Sequence, residues 1–443
     1  MSGAWALLWG VPFVGLLLTI AFMPMVARTH WHRHYPKWVA IWTAAFLLPA
    51  AVAHGIGPMT AMVLGTVLHE YLPFILLLFA LYVVTGGIHI SGSPRPSPAL
   101  NTGILAAGTL LASVIGTIGA PLLLVRPLMR INRGRRSQVH LYAFFIPLVA
   151  NIGGALSPLG NPPLLVGYLA GVPFLWPLQH LWAPTLVLTA GLLVTFFFVD
   201  SLMMRRHQPP PRETTQETAK FGIQGKINFL FLVLVVATVL MNDFWPTAPT
   251  IHPDGVPWNI AEAVGDLLYL AWALLSLAVA PARARELNDF NWEPIVEVAI
   301  LFAAIFITLI PVIGIIAAGV HGPVAPLVHA LISDGHPNNL LFYVATGLLS
   351  GFLDNTPTYL VFFHFAGGDP AVLTTSLAVT LGAISAAASY FGAISYLGNA
   401  PNLMVKSMAE AHGVRMPSFF VYTGFAILIT GPWFALVALL FFS

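Results

Sequence analysis

Apolar residues fill this chain in runs of membrane-spanning length, and short polar tracts punctuate them. A spanning helix needs about 20 apolar residues. Apolar runs occupy 5–26, 38–56, 60–89, 181–204, 227–245, 267–281, 292–319 and 418–442. Four others, 101–128, 140–173, 340–366 and 371–411, are equally apolar but carry Gly, Pro, Asn or Ser near their middles. The pattern predicts an all-α polytopic membrane protein. In a bilayer an interrupted helix leaves backbone N–H and C=O groups unpaired, which is tolerated only where the backbone is buried in protein or lines a cavity. The four interrupted runs therefore belong inside.

Two of the interruptions are copies of one another. Residues 154–163 read GALSPLGNPP and residues 392–401 read GAISYLGNAP. At an offset of 238 residues they share seven of ten positions, one copy in each half of the chain. That is an internal duplication. Paired Gly/Pro-interrupted apolar segments at corresponding positions point to a transporter's binding site. The site is thereby placed between Asn161 and Asn399.

Composition narrows the class. Of 443 residues 58% are hydrophobic and 8% charged, and the mean hydropathy is +0.85; a soluble domain carries about 25% charged residues. Cysteine is absent, which excludes disulfides, thiolate metal sites and cysteine nucleophiles. No P-loop, HExxH or EF-hand pattern occurs, so the chain is read as neither an ATP-driven pump nor a metalloenzyme, with no cofactor and no nucleic-acid partner. The N-terminus lacks the basic start and cleavage site of a signal peptide, and 5–26 is taken as the first span.

The net charge of +2 matters less than where the Lys and Arg lie. Basic tracts fall at 28–37, 126–136, 205–226, 283–285 and 406–415, and such tracts face the cytoplasm. Arg95 and the 126–136 tract, at the two ends of 101–128, then share that side, so this run is expected to be a hairpin that enters and leaves at the cytoplasm, turning at 113–121. By the same counting 340–366 is a hairpin from the outside, with Asp354–Pro357 at its tip. Each half then holds three spans, a hairpin, a broken helix and a last span. The first repeat is 1–204, with hairpin 101–128, broken helix 140–173 and span 181–204. A Pro-rich cytoplasmic linker, 205–226, precedes the second repeat, 227–443, with hairpin 340–366, broken helix 371–411 and span 418–442. Five crossings per half invert one repeat against the other. The expected architecture is about ten spanning helices plus two re-entrant hairpins and two broken helices, with both termini outside a cell's inner (cytoplasmic) membrane.

These segments resemble the ion transporter superfamily along nearly the whole chain. The resemblance rests on GTIGAPLLLVRPL (116–128), NIGGALSPLGNPP (151–163), FLDNTPTYLVF (352–362) and GAISYLGNAPNLMVKSMAE (392–410), with FNWEPIVEVAILFAAIFITLIP (290–311) before the second hairpin. That superfamily groups NhaD-type sodium/proton antiporters with arsenite exporters, citrate–metal symporters and dicarboxylate transporters. The resemblance implies that the hairpin tips meet the broken helices near mid-membrane and that the repeats move by an elevator-type displacement. Its dicarboxylate branch carries Ser-Asn-Thr at both tips. Here the tips read Gly-Thr-Ile-Gly and Asp-Asn-Thr, a departure that points to the cation antiporter branch. Fold analogy suggests a homodimer.

The candidate residues follow. A carboxylate in an apolar hairpin is a functional hypothesis by default, which singles out Asp354. The same aspartate also suits an N-cap, with Pro357 in the helix's first turn. Asn355, Thr356 and Thr358 add neutral oxygens that suit Na⁺ or Li⁺. Asn161, Ser157, Asn399, Ser395 and Asn402 lie at the breaks, either as ligands or as satisfiers of broken backbone. Thr117 and Asn151 are weaker candidates. A Na⁺ site is expected at Asp354, Asn161 and Asn399. Glu297, one turn beyond Glu293, is a candidate proton relay, whereas Asp243, Glu262 and Asp266 are expected at the solvent boundary. Glu70, beside His69, is read as an interfacial cap or part of an outer vestibule. His30, His32 and His34, alternating on a basic loop beside Arg28, Arg33 and Lys37, suit anionic lipid, and Trp5, Trp31, Trp182, Trp245, Trp292 and Trp433 suit interface anchoring. The leading reading is a proton-coupled sodium antiporter, transporting Na⁺ and H⁺ through competition at Asp354. The alternative is a carrier of a citrate-like carboxylate or an arsenite-type oxyanion. That alternative calls for a deep Arg or Lys, and none lies between Arg136 and Arg205 or between Arg285 and Lys406.

Overall fold

A computed structural model describes residues 4–92, 94–206, 222–245, 248–333 and 335–443. Of the linker 205–226, residues 207–221 lie outside them. The helices in chain order are α1 (Val11–Val26), α2 (Arg28–His54), α3 (Ile56–Thr66), α4 (Leu72–Gly86), α5 (Pro98–Ile131), α6 (Val139–Val149), α7 (Pro162–Leu169), α8 (Trp176–Arg206) and α9 (Ile227–Phe244). They continue as α10 (Ile260–Val279), α11 (Ala282–Leu287), α12 (Glu293–Ala317), α13 (Ala325–Leu331), α14 (Asn339–Phe352), α15 (Asn355–Phe365), α16 (Pro370–Thr374), α17 (Ala378–Phe391), α18 (Ala400–Ala411) and α19 (Phe419–Phe441). A π-helical turn, Val67–Tyr71, joins α3 to α4. Among the described residues nine helices are long and apolar enough to cross a membrane.

One of the nine does not run straight through. α5 breaks at Gly116, whose φ of 82° and ψ of 158° lie in a region essentially restricted to glycine. Asn101 and Asn132, near its two ends, exchange amide hydrogen bonds of 3.0 and 2.9 Å. A straight helix would hold them about 45 Å apart at 1.5 Å per residue. α5 is therefore a hairpin. α14 and α15 form a second, with Phe342 and Phe362 from opposite arms packed ring against ring at 6.3 Å across an extended turn at Leu353–Asp354.

Burial sorts the elements. In the most apolar 18-residue stretch of each, 83% of residues are buried in Val139–Leu156 and 67% in Pro98–Ile131, against 28% in Phe419–Phe441 and in Trp176–Arg206. The outer helices show Leu186, Phe198, Leu267, Leu428 and Leu439 to the surroundings, as a lipid-facing shell would. Polar Asn, Ser and Thr are kept inside instead. This inversion of the soluble pattern is what a bilayer solvent requires.

Buried polar knots pin the shell to the hairpins. Asp200 of α8 accepts from Arg135 at 2.6 Å and from Asn101 at 2.8 Å, and lies 2.8 Å from His140 Nε2. Arg135 also donates to Asn132, so both arms of the α5 hairpin are tied to α8. Nearby, β1 (His89–Ser91) pairs antiparallel with β2 (Gly222–Gln224), and Arg130 donates to the Ile90 carbonyl. The base of the α5 hairpin and the end of the linker thus share one face, the basic face.

Two expectations at the periphery need correction. Residues 28–37 are no loop but the first turns of α2. Trp31 is buried against Tyr35 instead of standing at an interface, whereas Trp5, Trp182, Trp245 and Trp292 are exposed.

Candidate functional site

Each hairpin tip is stitched to a broken helix by the same set of contacts. In the first half α6 gives way to a 3₁₀ turn, Ile152–Leu156, and then to extended backbone at Ser157 and Asn161 before α7. The Ser157 hydroxyl donates to the Ser113 carbonyl of the hairpin and accepts from Gly160 N at 3.1 Å. Thr117 N, just past the hairpin break, donates to the Gly160 carbonyl at 2.9 Å. Gly154 and Gly160 face one another so closely that a Cβ on either would sit 2.4 or 2.3 Å from the other's carbonyl oxygen. Backbone approach of that kind admits only glycine.

The second half repeats this at the offset seen in the sequence. Ser395 donates to the Gly351 carbonyl at 2.6 Å and accepts from Gly398 N at 3.2 Å. A Cβ on Gly398 would meet the Gly392 carbonyl oxygen at 2.6 Å. Ser157 and Ser395, Gly160 and Gly398, and Ser113 and Gly351 are thus equivalent positions. At the tips the halves diverge. Gly116 and Thr117 correspond to Asp354 and Asn355, so one half bears a glycine where the other bears a carboxylate.

The asparagines then join the halves. Asn355 Nδ2 donates to Asn161 Oδ1 at 3.2 Å, linking the second tip to the first broken helix. Asn151 donates to Asn402 Oδ1 at 2.8 Å. Asn399 donates to the Ala150 carbonyl and to Asn151 Oδ1 at 3.0 and 3.2 Å, and Asn402 to the Gly392 and Ser395 carbonyls at 2.7 and 2.8 Å. These bonds satisfy backbone that the breaks would otherwise orphan. Asn151, Asn399, Asn402, Ser157 and Ser395 are accordingly engaged in holding the breaks together.

What is left over marks the site. Thr117 Oγ1 and Asn161 Nδ2 are buried without a hydrogen-bond partner, and turning the Asn161 amide over would leave its oxygen there instead. A void of about 20 Å³ adjoins Thr117, lined by Gly116, Gly160, Pro162 and by Leu78, Leu81 and Tyr82 of α4. A water needs about 10–15 Å³ on this measure, so the void holds one water-sized occupant. At the other tip Asp354 is half-buried. Its Oδ1 caps α15 by accepting from Thr356 N at 3.0 Å, and its carbonyl accepts from Thr358 Oγ1 at 2.9 Å. Thr356 Oγ1 donates to Asn355 Oδ1 at 3.3 Å. Within 113–121, 151–163, 351–358 and 392–402, Asp354 is the one charged side chain. The N-termini of α7 and α15 meet at the Asn161–Asn355 bond, and their dipoles favour negative charge there.

Other candidates lie elsewhere. Glu293 and Glu297 occupy the first turns of α12, where their charges act on Tyr35 of α2. Asp266 corrects the expectation of a solvent-facing acid. It is 3% exposed, and neither carboxylate oxygen has a hydrogen-bond partner. Its position in α10 gave no signal, because a helix of unknown rotation does not show which face is buried. Asp200 and Arg135, by contrast, were detectable as a charge inside an apolar run and a charge beside one.

The comparisons with known proteins bear on the whole chain. A family model described as "Putative citrate transport" matches residues 2–442. Among solved structures, MtrF of Neisseria gonorrhoeae, described with a class of antimetabolite efflux pumps, aligns at 13% identity over 99% of this chain and 95% of its own, with a TM-score of 0.40. At that score the likeness carries no argument. No curated protein matches the chain.

Proposed function

The chain belongs to the family described as "Putative citrate transport", and from that premise we propose that it is a secondary transporter exchanging Na⁺ or Li⁺ for protons where the second hairpin tip meets the first broken helix. One observation carries this reading: Asp354 is the single charged side chain of the tips and breaks, at a junction where two buried polar atoms, Thr117 Oγ1 and Asn161 Nδ2, lack a partner. A lone carboxylate can hold a proton or a cation but not both, so competition at Asp354 couples the two fluxes. Asn355, Thr356, Thr358 and Asn161 supply neutral oxygens, hard ligands suited to Na⁺, with Thr117 at the first tip. Asn151, Ser157, Ser395, Asn399 and Asn402 keep hairpins and broken helices together, so that the stitched pair moves as one body in an elevator-type displacement. Glu297 on α12 is the next acid available to relay protons. The departure of both tips from the Ser-Asn-Thr of the dicarboxylate branch supports the same reading.

Transport of a citrate-like carboxylate is the second reading. The family's description favours it, as do the helix N-termini meeting at Asn161 and Asn355. With no Arg or Lys in the tips, the carboxylate's charge would be offset by a co-bound cation. Proteoliposomes loaded with a pH-sensitive dye separate the two. Na⁺ or Li⁺ added alone moves protons under the first reading. Proton movement that needs citrate, with Na⁺ alone inert, replaces it with the second.

A further inference from the structure

A second cavity, of about 380 Å³, opens on the face opposite the basic one. It lies among the start of α4, the first turns of α10 and the end of α7, with Trp245 at its edge. Its wall includes Glu262, Asp266 and His69. His69 Nδ1 lies 3.2 Å from Glu262 Oε2, so those two satisfy each other. Asp266 has no such partner: it is buried, and both oxygens lack a hydrogen bond. An unpaired buried carboxylate is costly unless it takes up a proton or a cation joins it. The cavity supplies the room, since a water needs only about 10–15 Å³ on the measure that gives it 380 Å³. His69 reaches it from the π-turn Val67–Tyr71, an irregularity that occurs frequently at functional sites.

The cavity is also aligned with the tip void. Leu77 of α4 and Leu165 of α7 line the cavity. Leu78 and Leu81 of α4 and Pro162 of α7 line the void. Successive turns of the same two helices, about 5.4 Å apart, therefore border both spaces.

We propose that this cavity is a cation-binding vestibule in which Asp266 takes up a hydrated monovalent cation on its way to or from the first hairpin tip. Its place on the transport route rests on the exchange reading above; its capacity to bind a cation does not. Na⁺, replacing choline, is the probe, and the readout is the melting midpoint of the purified full-length protein, since a ligand bound to the native state alone raises it. Three proteins are compared: wild type, Asp354→Asn, and Asp354→Asn with Asp266→Asn. Size-exclusion profiles check folding, and Asp266→Ser replaces Asp266→Asn if the latter aggregates. The expected result is a Na⁺-dependent rise that survives in Asp354→Asn and falls by at least half when Asp266 is also replaced. A rise that Asp266 substitution leaves intact, or no rise in Asp354→Asn, overturns the vestibule. If Asp354→Asn alone keeps the full wild-type rise, the tip site fails while the vestibule is still tested by the double variant.

Discussion

Asn161 and Asn402 look alike in the sequence, both at breaks of apolar segments, yet they predict different mutants. Asn161 shares one bond with Asn355 and leaves its other amide atom unpaired. Asn161→Ala is therefore expected to insert and fold, and to raise the Na⁺ concentration for half-maximal exchange about tenfold, or about 1.4 kcal/mol. Asn402 satisfies the Gly392 and Ser395 carbonyls and accepts from Asn151. Asn402→Ala orphans these buried groups at about 1–3 kcal/mol each, so its expected effect is a fall in melting midpoint and in yield. Equal affinity changes with equal stability in the two variants would contradict this division. The residue types were legible from the sequence; their division into stitches and unpaired groups was not, because it depends on how each break folds and on partners 194 and 251 residues away.

At the scale of elements, the α5 hairpin was legible because Arg95 and the 126–136 tract both had to lie on the basic face, which a through-spanning helix forbids. The knot that holds its base was not, since it needs Asp200 of α8 to meet Arg135, Asn101 and Asn132. Removing one member of a buried ion pair strands the other, a loss of about 3–5 kcal/mol. Asp200→Ala should therefore lower the thermal midpoint markedly, whereas Glu286→Ala, in the exposed pair with Arg283, should leave it almost unchanged. Gly160→Ala and Gly398→Ala should fail alike, each Cβ meeting the backbone carbonyl of the glycine that faces it within its own break, Gly154 or Gly392. If one of them folds normally, the two breaks are not equivalent in packing.

For the whole molecule, the duplication was visible as GAxSxLGNxP in both halves, and the contacts at the breaks recur at the same offset. Of the vestibule only Glu70 beside His69 stood out in the sequence; the cavity itself was not visible, because α4, α7 and α10 form it only once packed. The positive-inside reading makes the basic face cytoplasmic. Gln224→Cys, at the end of the linker, should then label only from the cytoplasmic side and Asp254→Cys only from the outside; the chain has no other cysteine to confuse the result. The proposed exchange belongs to this scale, since it would need both halves and would turn on the carboxylate at the second tip. The decisive measurement is proton movement in proteoliposomes on addition of Na⁺, for wild type and for Asp354→Asn, which keeps the side chain's shape but cannot titrate. The expected result is Na⁺-driven proton release in wild type and its loss in Asp354→Asn, with the variant folded by size exclusion. Na⁺/H⁺ exchange by Asp354→Asn at near wild-type rate would contradict the account.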